Sequence, residues 1–183
     1  MSPSVFNCFA EIVSRRLSGS GPFTALEVGA GGWTLLSIPS FDRGMRVALN
    51  LRFDRITDQL ARTSLVVANA NGLPFADESF DCVMSCSALE HDRYFWRSTS
   101  EVKRVLRPGG YFIAGVPIYM TLQTDKEFTT LTYARHGLAY NADYYRFSEQ
   151  AVREVFFEGY SEVTDEIVVR QYPNPYLIAA GRK

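Results

Sequence analysis

Five short apolar runs, TALEV (24–28), RVALN (46–50), SLVVA (64–68), DCVMSC (81–86) and YFIAGV (111–116), recur along the chain with room between them for a helix or a turn. Runs apolar on both alternating faces belong to strands covered on both sides, the condition of a parallel sheet sandwiched between helices. Helical spacing occupies several of the gaps. Val5, Phe9, Ile12, Val13 and Leu17 recur every three or four residues and stop near Gly19 and Gly21, which predicts a helix within residues 1–20. Further helices are expected around 32–38, 52–62, 96–106 and 148–158, the last with Ser148 as its N-cap. Late apolar runs at 162–170 and 175–181 add two strands. With 183 residues, 46% of them hydrophobic, and no repeat or linker, the chain is expected to form one α/β domain with a sizeable core.

Charge and cysteine usage narrow the function classes. Nineteen basic residues against twenty acidic ones leave a formal net charge of -1, so no overall basic field draws nucleic acid or an anionic membrane surface. Three cysteines, Cys8, Cys82 and Cys86, form neither a disulfide framework nor a zinc-finger spacing. Cys82 and Cys86 read as small buried hydrophobes, and no metal is expected. The N-terminus lacks a basic segment followed by an apolar one, and no run approaches the roughly 18 apolar residues of a membrane span. A cytoplasmic protein, monomeric or homodimeric, is expected.

The segment ALEVGAGGW (25–33) sits at the end of the first strand, where an open α/β sheet binds its ligand. It departs from a dinucleotide fingerprint, since Thr34 stands where a third glycine would be, and it is not a phosphate loop. Glu27, just before the glycines, would oppose a pyrophosphate and suits a cationic ligand instead.

LEVGAGG is followed by NANGLPFADESFDCVMSCSALEH (69–91), EVKRVLRPGGYFIAGVP (101–117) and DYYRFSEQAVREVFFEGY (143–160). In this order the motifs resemble the class I S-adenosylmethionine-dependent methyltransferases of the small-molecule, methyltransferase type 11-like kind. The resemblance implies a Rossmann-like three-layer sandwich with a seven-stranded, mostly parallel sheet in the order 3-2-1-4-5-7-6, strand 7 antiparallel. It implies S-adenosylmethionine as cofactor and S-adenosylhomocysteine as product. Glu27 would then orient the cofactor's ammonium, with Gly29, Ala30 and Gly31 approaching it. Asn50 would lie at the ribose hydroxyls with Leu51 beside it in the cofactor site, Asn69 and Ala70 at the adenine, and Ser85 and Cys86 beneath the cofactor. Relatives carry acids where this chain has Asn50 and Asn69, so weaker cofactor binding is expected, and an Asp at position 50 is expected to tighten it. Trp33, which replaces a glycine, is either packed on the first helix or a wall beside the methionine moiety.

Only two histidines are present, His91 and His136, and either is a candidate base for an acceptor hydroxyl or amine. His91 can equally shape the cofactor pocket. His136 falls in the aromatic-rich connection 118–147, whose Tyr119, Tyr140 and Tyr144 are candidate acceptor contacts unless these rings form a satellite core. Asp143 and Arg146 are expected to pair and fix a turn. The expected activity is O- or N-methylation of a small metabolite or saccharide. Two alternatives stand beside it: a non-catalytic cofactor-binding or assembly protein, given Asn50, Asn69 and Trp33, and a nucleic-acid methyltransferase, for which the NPY at 174–176 is misplaced.

Overall fold

The computed structural model describes residues 1–19, 21–119, 143–170 and 175–183. Seven strands form one sheet: β1 (Ala25–Val28), β2 (Arg46–Asn50), β3 (Ser64–Val67), β4 (Phe80–Cys86), β5 (Leu106–Pro117), β6 (Glu162–Val169) and β7 (Tyr176–Arg182). Their order is β3-β2-β1-β4-β5-β7-β6. β1 pairs in parallel with β2 and β4, while β7 runs antiparallel to both β5 and β6. This is the expected topology. β1 lies in the interior of the sheet with all four residues buried, which is why its sequence is a continuous apolar run broken only by Glu27.

Two apolar layers cover the sheet. On one face α1 (Pro3–Arg16) lays Val5, Phe9, Ile12 and Val13 over Ala25, Met84, Ile113 and Ile178. Ser2 caps α1 by accepting the Val5 N–H, and Pro3 occupies its first turn. Arg15 and Arg16 at its last turn pair with the buried Asp165 of β6 at 3.0 and 2.7 Å, fixing the helix across the sheet. On the other face α2 (Phe95–Val105) and a helical segment from α3 (Glu149–Ala151) through a π turn to Phe156 cover Val83, Phe112, Ala114 and Leu177.

The links between the first three strands depart from expectation. In place of helices at 32–38 and 52–62 the chain makes 3-10 turns, Leu35–Ser37, Pro39–Phe41 and Asp58–Leu60. Pro39 interrupts the first of these links directly after Ile38, where proline removes the amide a continuing helix would use. In the second link only Leu60 is buried and Ile56 is 67% exposed, so that link has no apolar stripe to lay on the sheet. β5 begins earlier than YFIAGV because Leu106 already pairs with Phe80. No helix among the described residues is long and apolar enough to cross a membrane.

Candidate functional site

The carboxyl ends of β1, β2 and β4 meet at one edge of the sheet, and the glycine loop lies across them. The N–H groups of Gly29 and Ala30 both donate to the Leu49 carbonyl, at 2.8 and 3.1 Å, so β2 steers the chain as it leaves β1. Gly29 has φ +82°, and a Cβ there would stand 2.3 Å from the Ala88 Cβ. The turn after β4 therefore requires a glycine at this position. Gly31 differs: nothing lies within 4 Å of where its Cβ would be. At Gly31 the backbone fronts open space that a ligand can occupy. Trp33 is 66% exposed, so its indole is not packed beneath α1.

Glu27 is buried and already engaged. Its Oε2 accepts hydrogen bonds from the Thr34 hydroxyl and from the Leu35 N–H, the latter at 2.9 Å. Burial pushes its carboxyl up to about 7, against the lowering effect of those bonds. The residue expected to hold an ammonium thus also ties β1, through Oε2, to the 3-10 turn that follows the loop.

Asn50 is likewise engaged. Its Nδ2 donates to the Ala30 carbonyl at 2.7 Å, and its Oδ1 accepts the Leu51 N–H at 2.7 Å. An amide does both; a carboxylate cannot do the first. Leu51 is 60% exposed beside it, an apolar surface at the end of β2. Asn69 is exposed and its Oδ1 accepts from the Asn71 N–H at 2.9 Å, closing a turn in which Ala70 is half-buried. Asn71 donates onward to Asp92 and Ser98, at 2.7 and 2.8 Å. That network ties the turn after β3 to the start of α2, and the sequence reading passed over it.

At the carboxyl end of β4 and in the turn beyond it lies a second group of polar side chains. Ser85 Oγ is buried with no hydrogen-bond partner, and burial pushes the Cys86 thiol up to about 12, which disfavours its thiolate. Ser87 holds φ +55°, uncommon for a residue with a Cβ, and its hydroxyl lies 2.7 Å from the Tyr176 hydroxyl. His91 Nδ1 sits 2.9 Å from Asp143 Oδ1, and Asp143 Oδ2 sits 2.5 Å from Arg146. Asp143 and Arg146 are both buried and pair as expected, while the His91 side chain is 32% exposed. Such an arrangement orients the imidazole, with Nδ1 toward the Asp143 carboxylate and Nε2 3.9 Å from Glu90 Oε1.

Glu90 and Tyr176 are residues the sequence reading missed. Glu90 is 3% exposed, its Oε2 has no hydrogen-bond partner, and burial pushes its carboxyl up to about 8. Its backbone carbonyl accepts the Tyr144 and Tyr145 N–H groups at 2.8 and 3.2 Å, docking the segment that carries Asp143 onto the turn that carries His91. The aromatics of this segment divide between the two expected roles. Tyr145 packs edge-on against Phe95 at 5.0 Å as core, while Tyr144 and Tyr119 are 52% and 54% exposed. His136 and Tyr140 lie outside the described residues. No group of three or more His, Cys, Asp or Glu side chains disposed for a metal ion occurs among the described residues.

Residues 26–114 match the family described as methyltransferase domain. An uncharacterized methyltransferase of Mycolicibacterium vanbaalenii is 31% identical over 103 residues, covering 56% of this chain and 38% of that protein. The phthiotriol/phenolphthiotriol dimycocerosates methyltransferase of Mycobacterium tuberculosis is 48% identical over 54 residues, 30% of this chain and 20% of that protein. The chain thus spans well under half the length of these relatives. Among solved structures, the 1,6-didemethyltoxoflavin-N1-methyltransferase of Burkholderia thailandensis, with S-adenosylhomocysteine and 1,6-didemethyltoxoflavin bound, superposes with a TM-score of 0.72 at 20% identity. That alignment covers 97% of this chain and 77% of the other, a likeness of fold.

Proposed function

We propose that the chain, whose residues 26–114 match a methyltransferase domain, is an S-adenosylmethionine-dependent enzyme that transfers a methyl group to an O or N atom of a small acceptor. The observation that carries the reading is His91, oriented through Nδ1 by Asp143 at 2.9 Å and partly open to solvent, just past the strand end where the glycine loop fronts open space.

The residues present fit the cofactor at some points. Gly31 offers an unobstructed backbone, Leu51 an exposed apolar face for a base, and Ser85 a buried hydroxyl without a partner. When bound, the cofactor supplies an electrophilic methyl carbon on a cationic sulfur. The chain's part is to align an acceptor and take its proton. His91 Nε2 removes that proton, Asp143 holds the ring and stabilises the imidazolium that results, and Arg146 holds Asp143 in place. Alignment supplies much of the acceleration in such a displacement, and general-base catalysis adds typically about 10²–10⁴-fold.

Glu27 and Asn50 favour a second reading, a protein that binds the cofactor without transferring its methyl group, because both side chains already satisfy the loop. Calorimetric titration with S-adenosylhomocysteine, followed by label transfer from methyl-tritiated S-adenosylmethionine to a small-metabolite pool, separates the two. Binding with label in small molecules supports methyl transfer, and binding without transfer supports the second reading. Label entering bulk tRNA or DNA and no small molecule overturns the substrate class.

A further inference from the structure

Four exposed residues at the start of α2, Arg93, Tyr94, Trp96 and Arg97, form one cluster centred on Tyr94. The Arg93 and Arg97 guanidiniums lie over the Tyr94 ring, 5.5 and 5.1 Å from its centroid, and the Trp96 indole stands edge-on to it at 5.8 Å. Phe95, between Tyr94 and Trp96 in the chain, is buried in the core, its ring 5.0 Å from those of Tyr145 and Phe147. The Tyr145 hydroxyl donates to the Arg93 carbonyl at 2.9 Å. The cluster thus stands on a fixed base, and little ordering remains when a partner arrives.

Its charges are uncommitted. Arg104, Arg107 and Arg153 each lie within 2.8 Å of a carboxylate, whereas no acid pairs with Arg93 or Arg97 among the described residues. Asp92, next to Arg93 in the chain, is occupied elsewhere. Its Oδ1 accepts the Tyr94 N–H at 2.8 Å, and its Oδ2 accepts the Ser98 hydroxyl and the Asn71 amide at 2.5 and 2.7 Å.

Two guanidiniums beside a Trp and a Tyr call for an anionic partner that also receives aromatic bodies. The headgroup layer of an anionic bilayer is one: Trp and Tyr settle there with an apolar body inward and a polar tip in water, while arginines meet the negative headgroups. A nucleic-acid strand is a poorer match, because it is gripped along several phosphates by ring faces left free for stacking. Here the cations are two, and both lie over the Tyr94 ring. The net charge of -1 gives the chain no general attraction to an anionic surface, so contact is confined to this cluster.

We propose that Arg93, Tyr94, Trp96 and Arg97 form a peripheral docking surface for an anionic phospholipid bilayer. The guanidiniums meet headgroup phosphates and carboxylates, and the Trp96 indole enters the headgroup layer. His91 lies two residues before Arg93, so docking brings the turn that carries it close to the lipid. The surface goes beyond the methyl-transfer reading and does not depend on it.

The test is co-sedimentation of the full chain with vesicles of equimolar phosphatidylcholine and phosphatidylserine, compared with vesicles of phosphatidylcholine alone. Binding to the anionic vesicles is expected to be at least tenfold tighter. It should weaken at least fivefold as NaCl rises from about 0.1 to about 1 M, where the screening length falls from about 10 to about 3 Å. An arginine near such a surface strengthens binding about fivefold, so Arg93→Gln combined with Arg97→Gln should weaken it about 25-fold. Trp96→Ala should weaken it at least threefold, while Trp33→Ala, which removes the more exposed of the two indoles, should leave it within twofold. No binding to the anionic vesicles, whether or not polyuridylate or polyglutamate is bound instead, overturns the proposal. So do equal binding to both kinds of vesicle, affinity unchanged in both the arginine pair and Trp96→Ala, and loss of binding in Trp33→Ala with Trp96→Ala unaffected.

Discussion

Replacing Asn50 by Asp looks conservative and, by the resemblance alone, beneficial, since relatives carry an acid there. The geometry predicts the reverse. Asn50 Nδ2 donates to the Ala30 carbonyl at 2.7 Å, and that bond holds the glycine loop against the end of β2. A carboxylate has no hydrogen to give, so Asn50→Asp sets two oxygens at hydrogen-bond distance with nothing between them. Losing a donor while its acceptor stays enclosed costs about 1–3 kcal/mol. The bond from the Leu51 N–H survives and gains about 0.5–1 kcal/mol from the charge. The net expectation is a loss of about 1–2 kcal/mol, and at about 2–4 °C per kcal/mol for a chain of this size the melting temperature falls by about 3–6 °C. S-Adenosylmethionine should bind more weakly by calorimetry, because the displaced loop contains Gly31. The sign with pH is also determined. The introduced carboxyl is disfavoured in its charged form beside the Ala30 carbonyl, so its folded-state titration lies above its unfolded one. The deficit relative to wild type is then smallest near pH 4, where a protonated acid can donate to Ala30, and grows as the pH rises. An unchanged melting temperature together with tighter cofactor binding at pH 7 would refute the reasoning.

Gly29→Ala should lower the melting temperature by several degrees, because its Cβ would meet the Ala88 Cβ at 2.3 Å on a backbone with φ +82°. Gly31→Ala should leave melting within about a degree and yet weaken S-adenosylhomocysteine in calorimetry, since its Cβ enters open space. Glu27, raised to about 7 by burial, contributes stability that is complete below its unfolded value near 4.5 and is lost as the pH rises through 7. Glu27→Gln should therefore gain on wild type in denaturant titrations between pH 5 and 8, by up to about 3 kcal/mol. His91→Ala should cut turnover by about 10² or more with cofactor affinity unchanged, and Asp143→Asn should cut it less, measured by label transfer once an acceptor is in hand.

The strands were legible because burial on both faces writes itself into the chain as local apolar runs, and the order of the motifs carried the topology with them. Helices between the first three strands were not, since three-to-four spacing at Phe53, Ile56 and Leu60 looks helical until Ile56 proves 67% exposed. Spacing reports which residues share a face; it does not report whether anything covers that face. The same limit governs the site. His91 could be picked out as one of two histidines, but the carboxylate that orients it lies 52 residues further along the chain, joined to it by the docking of Tyr144 and Tyr145 on the Glu90 carbonyl. Glu90 stood in plain view in LEH, with nothing in its neighbours to mark it as buried.

A motif position records that a residue type is needed, and the need can be internal. Glu27 and Asn50 both stand where relatives' sequences suggested ligand contacts, and both spend hydrogen bonds on the loop between them: Glu27 on Thr34 and Leu35, Asn50 on Ala30 and Leu51. The two ties act on opposite ends of one segment, Ala30 to Leu35, and leave Gly31 between them facing open space. A loop pinned at both ends and open in the middle is shaped before a ligand arrives, so less ordering remains to be done on binding. On this account the asparagine is no weakened acid. It is the group that can both give and accept a hydrogen bond where the end of β2 meets the loop, and its worth to the cofactor is exerted through the position of Gly31.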